Sequence, residues 1–236
     1  MSGGATGARR YAGRRSCPFR FDRSILAEKA PGGTVVAGAD EVGRGCLAGP
    51  LVAVALTLDY RQDLATLLAG LSDSKALTLA AREALYPRLL LAAHRIVLVV
   101  VSPRRIDEVG LHRSNLLALA QSLEGLRGAY DLALVDGFEL SRPDLRSIAL
   151  TDGDWRSAAI AAASVVAKVS RDRLMRGLDP LHPQYGFCDH VGYGTRRHRE
   201  AVAAHGPCPL HRLSFAPFAD AASCVQSAEA SLRNEL

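Results

Sequence analysis

The most informative segment of the chain is residues 35–50, which read VVAGADEVGRGCLAGP. Its first five residues are apolar or small, and they predict a short buried strand that ends in the adjacent acids Asp40 and Glu41. Neighbouring side chains on a regular strand point to opposite faces. Both carboxylates therefore reach one site only if the strand ends or bends after them, which Gly43 permits.

Similar apolar runs recur along the chain and alternate with segments of helical spacing. Strands are predicted at 47–58, 96–101, 132–137 and 147–151. Helices are predicted at 78–93, 115–125, 155–175 and 195–204, with a loop at 177–194. The run at 96–101 is almost entirely β-branched, so we expect it to be fully buried. This alternation is typical of an α/β domain in which helices cover a mixed sheet, and functional residues then collect at the carboxyl ends of strands.

Composition argues against secretion and against a membrane span. The chain has 236 residues, of which 48% are hydrophobic and 22% charged, as in an ordinary globular domain. Its apolar runs fall short of the ~20 residues that a membrane helix needs. The basic segment 1–15 is followed by no apolar core of a signal peptide, so we expect none.

The cysteine pattern predicts a reducing environment, the cytoplasm. The chain has five cysteines, an odd number, and no CxxC pair, which argues against a disulfide framework. A zinc site is conceivable in composition, but the spacing of its candidate ligands fits no zinc pattern. Those candidates are Cys188, His190, His205, Cys208 and His211.

Positive charge is concentrated at the N-terminus. Residues 1–30 contain seven basic and two acidic residues, which accounts for the whole formal net charge of +5. We expect residues 1–33 to form a flexible basic extension and residues 219–236 to form a C-terminal tail. The extension suits contact with phosphate backbones, although an arginine bias from a GC-rich genome explains it equally well.

Two further acids occupy positions like that of Asp40. Asp136 ends a predicted buried strand, and Asp154 begins an alanine-rich helix. If they converge with Asp40 and Glu41, carboxylates ~4 Å apart repel each other by a few kcal/mol per pair. Divalent cations relieve such repulsion, and a set of hard oxygen ligands favours Mg²⁺ or Mn²⁺ and suits two-metal phosphoryl chemistry.

Each acid also has a simpler interpretation. Asp154 has the position of a helix cap, and Asp136 with Gly137 has the sequence of a turn. Asp40 and Glu41 together have the sequence of a solvated strand end. Position alone leaves these alternatives open.

Several motifs in register resemble those of bacterial ribonuclease HII. The resemblance runs from about residue 36 to about residue 218, so the catalytic domain is predicted at 34–218, including a C-terminal helical segment. The motifs are 37–50, Asp73-Ser74-Lys75, Val135-Asp136-Gly137, 153–157, 160–168, Arg171-Asp172, 184–187, His190, Gly192-Tyr193, His211-Arg212 and Ser214-Phe215.

This resemblance implies an RNase H-like sheet and a metal-dependent endoribonuclease. It implies hydrolysis of the RNA strand of RNA–DNA hybrids and incision 5′ to a ribonucleotide in duplex DNA, leaving a 5′-phosphate and a 3′-hydroxyl. The resemblance also implies a role in ribonucleotide excision repair. Two ions, Mg²⁺ or Mn²⁺, are implied, and the implied catalytic and metal-binding residues are Asp40, Glu41, Asp136 and Asp154.

The resemblance also implies substrate contacts. Gly43-Arg44-Gly45 matches the family motif that senses the RNA–DNA junction, where glycines let backbone groups approach a 2′-hydroxyl. Tyr193 matches a tyrosine that packs on the deoxyribose after the junction, with packing in a core as the alternative. Further matching positions are implied to hold phosphates or to position the metal-site loops: Ser74, Lys75, Ser164 and Lys168.

One position departs from the family pattern. Asp152 stands where a lysine is common, two residues before Asp154, and adds negative charge beside the cluster. We expect Asp154 to remain the ligand because its spacing to Ser157 and Ile160 fits the family.

Two alternative functions are disfavoured by the sequence. Ribonuclease HIII needs an added folded N-terminal domain, for which the predicted extension is too short. A catalytically silent nucleic-acid-binding module is disfavoured because all four acids are present. The expected partners are RNA–DNA hybrids and ribonucleotide-containing DNA, with no membrane, a monomeric state, and a sliding clamp as a further candidate.

Overall fold

The computed structural model describes residues 17–71 and 77–218. The N-terminal residues 1–16, the predicted tail 219–236, and Ser74 and Lys75 lie outside the described residues. Within the described ranges, five strands form one sheet in the order β3-β2-β1-β4-β5. The strands are β1 (Val35–Val42), β2 (Leu51–Asp59), β3 (Ile96–Val101), β4 (Leu132–Asp136) and β5 (Ser147–Leu150).

The sheet is mixed, as predicted. Strand β1 pairs antiparallel with β2, which pairs antiparallel with β3, whereas β1, β4 and β5 run parallel.

The helices are α1 (Pro18–Lys29), α2 (Leu64–Leu67), α3 (Leu79–Ala92), α4 (Pro103–Val109), α5 (Leu111–Glu124), α6 (Gly153–Arg156), α7 (Ala158–Leu178), α8 (Phe187–His190) and α9 (Arg196–His205). None of the helices in the described ranges is long and apolar enough to cross a membrane.

Helices cover both faces of the sheet, which confirms the predicted α/β fold. Strand β1 contributes Val36 to the core beneath α7 and Ala37 and Ala39 to the core beneath α5. This alternation follows the two-residue period of a strand. A third cluster, around Tyr185 and Phe187, forms the C-terminal helical segment.

The beginning of α7 lies directly on β1. A Cβ built on Gly38 would lie 2.5 Å from the amide nitrogen of Ile160 and would overlap the backbone of Ala159. Only glycine allows this approach. As a result, α7 is fixed against the strand two residues before Asp40.

The expected flexible extension is wrong for residues 17–33. These residues include α1, where Leu26 and Asp22 are buried. Phe19 and Ile25 pack partly buried against the α7 core, and the backbone N–H of Ala159 donates to Asp22 at 2.9 Å. Four of the six arginines in residues 1–30 precede residue 17, and the high charge of the whole segment obscures the apolar face that residues 18–29 present at helical spacing.

Two other predictions need correction. The run 96–101 is an edge strand rather than a fully buried one, since β3 pairs only with β2 and Leu98 and Val100 are exposed. The helix predicted over 155–175 is interrupted at Ser157. That side chain accepts a hydrogen bond from Ile160 N–H at 3.2 Å and caps α7, so the chain turns between α6 and α7.

Candidate active site

Asp40 and Asp136 lie near the carboxyl ends of the neighbouring parallel strands β1 and β4, with β1 continuing to Val42. Ala39 lies opposite Val135 in the register of β1 and β4, so the next residue on each strand is an acid. The Asp40 side chain is only 5% exposed, which excludes a solvated strand end. Burial raises the pKa of Asp40 well above its usual range, and the negative charges of Glu41 and Asp136 raise it further.

Hydrogen bonds hold Asp40 in place. The backbone N–H of Glu41 donates to Asp40 Oδ1 at 2.7 Å, and the Ser164 hydroxyl of α7 forms a second bond to the carboxyl. Ser164 is itself 4% exposed. The structure therefore places Ser164 beside the acid and away from open solvent, as a residue that positions the cluster.

Helix α6 brings Asp154 to the same edge. The N–H of Gly153 donates to Asp136 Oδ1 at 2.7 Å, which ties the beginning of α6 to the end of β4. Asp154 follows inside the first turn and is 4% exposed, so it is not the cap. Asp152 precedes the helix with a φ of +53° and is exposed. Asp154 thus lies on the buried side of the pair, and its role as the metal ligand stays a prediction.

The chemistry of these carboxylates fits a divalent cation. Arg44 approaches Glu41 Oε1 at 3.5 Å, and the negative charges of Glu41 and Asp136 add to the effect of burial in raising the pKa of Asp40. Among the described residues, no three or more acids, histidines or cysteines are arranged as ligands of one ion. Convergence of all four acids on metal therefore stays a prediction.

The glycine-bracketed loop lies next to the acids and has one open backbone position. Gly43 has a φ of +93°, and a Cβ there would lie 2.8 Å from the carbonyl oxygen of Pro50, so the fold requires glycine. A Cβ on Gly45 would meet nothing within 4 Å. Between them, the Arg44 guanidinium lies 4.6 Å from the ring centre of Phe138. Gly45 is also exposed, so its backbone is accessible from solvent.

Two buried arginines hold this loop. Arg171 of α7 donates to the carbonyls of Ala48, Pro50 and Val191 at 2.8–3.0 Å. Arg212 donates to the carbonyls of Arg44 and Gly49 at 2.9–3.1 Å, and burial lowers its pKa to about 10. Both arginines belong to motifs of the family resemblance, but nothing in those motifs indicates that their partners are backbone carbonyls in residues 44–50.

Tyr193 lies beside the same loop and is partly exposed. Its ring is 38% exposed, and its backbone forms an isolated antiparallel bridge with Cys46. The Lys168 ammonium lies 5.0 Å from the ring centre and 2.9 Å from Asp172, with which it forms an ion pair. Tyr193 is therefore presented at the surface next to a cation, and it does not fill a core.

The pattern of acids and loops described above also marks a known protein family. The ribonuclease HII family model matches residues 37–218. The chain belongs to the ribonuclease HII family. Ribonuclease HII is a metal-dependent ribonuclease H, so the chain is a hydrolase acting on the RNA of RNA–DNA hybrids. The ribonuclease HIII alternative is set aside by this match.

Relatives of the ribonuclease HII family match most of the chain. The ribonuclease HII of Xanthobacter autotrophicus is 48% identical over 200 residues, covering 84% of this chain and 77% of that protein. Among solved structures, ribonuclease H2 from Pyrococcus horikoshii is 28% identical with a TM-score of 0.69, covering 79% of this chain and 96% of that one. The structure of the PCNA:RNase HII complex from Archaeoglobus fulgidus is 28% identical in sequence with a TM-score of 0.65, covering 77% of this chain and 95% of that chain.

Proposed function

We propose that this ribonuclease HII incises the RNA strand on the 5′ side of a ribonucleotide joined to DNA, including single ribonucleotides within duplex DNA. The observation that carries this proposal is the open backbone of Gly45, four residues from Glu41 and adjacent to Cys46, which pairs with Tyr193. The 2′-hydroxyl is the group that distinguishes RNA from DNA, and an uncovered backbone can hydrogen-bond to it.

The four acids would hold the metal. Asp40, Glu41, Asp136 and Asp154 offer the oxygen ligands that Mg²⁺ or Mn²⁺ prefers. When bound, two such ions supply an activated water and stabilise the departing 3′ oxygen, which leaves a 5′-phosphate. The chain's own contribution is orientation, because Ser164 and the Glu41 amide fix the direction of the Asp40 carboxylate.

Tyr193 and Lys168 would bind the strand beyond the scissile bond. A tyrosine ring packs well on a sugar that lacks its 2′-hydroxyl, and the Lys168 ammonium lies 5.0 Å from that ring, where a phosphate would pass. Ser74 and Lys75 are proposed as phosphate contacts from the family resemblance.

The test uses a DNA duplex with one embedded ribonucleotide, an all-DNA duplex and a long RNA–DNA hybrid. We expect incision 5′ to the single ribonucleotide with Mg²⁺ or Mn²⁺, loss of incision with EDTA, and no cleavage of the all-DNA control. Mapping of the products should show 5′-phosphate and 3′-hydroxyl ends. Cleavage of the long hybrid with no incision at the single site would contradict the junction assignment. Chelator-insensitive binding without cleavage would instead support a silent binding module.

The assembly state is a second proposal. The Archaeoglobus protein was solved with PCNA, and we propose a sliding clamp as a partner of this chain, which otherwise acts as a monomer. Co-elution of the purified chain with the clamp of its own host in size-exclusion chromatography would support the proposal, and separate elution at micromolar concentrations would contradict it.

A further inference from the structure

Three buried histidines lie directly behind Tyr193. His190, His198 and His211 are 8%, 0% and 2% exposed. The rings of His190 and His198 stack with centroids 4.3 Å apart, and the Nε2 atoms of His198 and His211 lie 3.1 Å apart. The ribonuclease chemistry described above uses none of these side chains, so their burial in contact with one another needs another explanation.

Backbone partners determine the proton positions of two of these rings independently. The N–H of Cys208 donates to His211 Nδ1 at 2.9 Å, whereas the Cys208 carbonyl lies farther from Nδ1, at 3.3 Å, and already accepts from the backbone N–H of His211. The shorter contact assigns the lone pair to Nδ1 and the proton to His211 Nε2. The carbonyl of Tyr193 lies 2.9 Å from His198 Nδ1 and can only accept, so His198 carries its proton on Nδ1 and a lone pair on Nε2. The two assignments agree, because His211 Nε2–H then donates to His198 Nε2.

The result is a directed chain of hydrogen bonds that ends on Tyr193. It runs from Cys208 N–H through His211 and His198 to the Tyr193 carbonyl. The N–H of Tyr193 donates to the His190 carbonyl at 2.9 Å, which fixes the other side of the same residue. Every ring nitrogen of the three histidines has a partner, since His190 accepts from Gly192 N–H and faces the Tyr185 carbonyl. No lone pair is left for a zinc ion on these rings.

We infer that His198 and His211 are positioning residues that fix Tyr193 at the substrate-facing surface through this neutral histidine chain. The inference rests on the proposed role of Tyr193 at the RNA–DNA junction. The chain holds only while both rings are neutral, because protonation would replace an accepting lone pair with a second N–H. Burial keeps them neutral by lowering the pKa of His211 to about 4 and by lowering the pKa of His198. The other titratable groups that face the pair are His182, His190, Tyr185, Tyr193 and Cys208.

The test replaces His198 by two amide side chains, each of which mimics one of the two ring nitrogens. His198→Asn keeps a donor near the Nδ1 position. His198→Gln reaches toward His211 instead and removes the bond that ties the Tyr193 carbonyl to this histidine chain, so that the N–H of Thr195 is the donor left on that oxygen. We expect His198→Gln to lower kcat/KM at the single-ribonucleotide site by about tenfold, mainly through KM, because one hydrogen bond to the positioning backbone is lost. His198→Asn should retain most of the activity. His205→Gln, at an exposed position on the same helix, is the matched control and should behave as the unmodified chain.

A double-mutant cycle distinguishes positioning from general stability. In a Tyr193→Ala background, His198→Gln should have no further effect on the preference for the single site over the long hybrid. Additive losses would overturn the inference. If Tyr193→Ala itself leaves that preference unchanged, the proposed role of Tyr193 fails. If Tyr193→Ala abolishes it and His198→Gln does not alter it, only the histidine chain fails.

A measurement on the unmodified chain keeps the inference testable if the variants do not fold. Nitrogen-15 NMR of the histidine rings at pH 7 should show His211 protonated on Nε2 and His198 protonated on Nδ1. A charged ring at either position, or the opposite tautomer at His198, would overturn the inference.

Discussion

Replacing Asp22 by asparagine should remove a pH-dependent cost of folding. Asp22 is fully buried on α1, where it accepts hydrogen bonds from the Tyr60 hydroxyl, the Ser157 side chain and the N–H of Ala159. Burial raises the pKa of Asp22 to about 6 despite these bonds, from an ordinary value of 3.8. The carboxylate therefore ionises less readily in the folded chain than in the unfolded one.

The sign and size of the effect follow from this difference in pKa. Because the folded value is the higher one, the contribution of Asp22 to stability is fully present below about pH 4 and is lost as the pH rises through about 6. The full loss is about 3 kcal/mol, of which about 2 kcal/mol falls between pH 4.5 and 7.5. The Asp22→Asn side chain can keep the oxygen that accepts from Tyr60 and Ala159, and its amide group then replaces Oδ1, which has no hydrogen-bond partner among the described residues. The amide does not ionise, so its own effect on stability does not vary with pH.

Urea unfolding of both chains at several pH values between 4.5 and 7.5 measures this directly. The free energy of unfolding of Asp22→Asn minus that of the unmodified chain should rise by about 2 kcal/mol across the range. Glu139→Gln, at an exposed position, controls for the removal of a carboxylate. Its difference in free energy of unfolding from the unmodified chain should not change with pH. A level difference for Asp22→Asn, or one that falls as the pH rises, would refute the reasoning.

Two further pairs of variants test the packing and the acid assignment. Gly38→Ala should lower the free energy of unfolding by at least 1–3 kcal/mol, since the added Cβ overlaps the backbone of Ala159. Gly45→Ala should leave the melting temperature nearly unchanged, because its Cβ meets no other atom. It should nevertheless reduce incision at a single ribonucleotide. Equal stability losses in thermal unfolding would contradict the packing argument. Asp154→Asn should abolish cleavage in a gel assay and Asp152→Asn should reduce it severalfold at most. The reverse result would assign the ligand to Asp152.

Sequence pattern predicts the features that depend on local structure. The strand ending at Asp40 and the strand ending at Asp136 are both evident from apolar runs closed by acids and a nearby glycine. That these two strands are parallel neighbours depends on long-range packing, which periodicity does not encode. The closeness of Asp40 to Asp136 is therefore expected only through the family resemblance.

The features that sequence pattern misses depend on surroundings that lie far along the chain. Helix α1 resembles part of a flexible segment because it lies between the arginine-rich residues 1–16 and Pro31-Gly32-Gly33, and its contact with α7 shows which of its residues are buried. Strand β3 resembles a fully buried strand because both of its faces are apolar, and its place at the sheet edge follows from the strand order. The partners of Arg171 and Arg212 are not predictable, since backbone carbonyls leave no mark in a sequence.

Helix α7 sets the distance between the acids and the glycine-bracketed loop that follows β1. Ser164 holds Asp40, and Arg171 holds the loop at Ala48 and Pro50. These two side chains are seven residues apart, so they lie on one face of the helix about 10 Å apart along its axis. Asp40 and Glu41 lie near the end of β1, and the loop begins directly after that strand at Gly43. The chain bends at Gly43, and without other contacts the direction of the loop after this bend would not be fixed. One helix bonded to both sides of that bend keeps the spacing constant, which the proposed incision at a fixed position relative to a ribonucleotide would require.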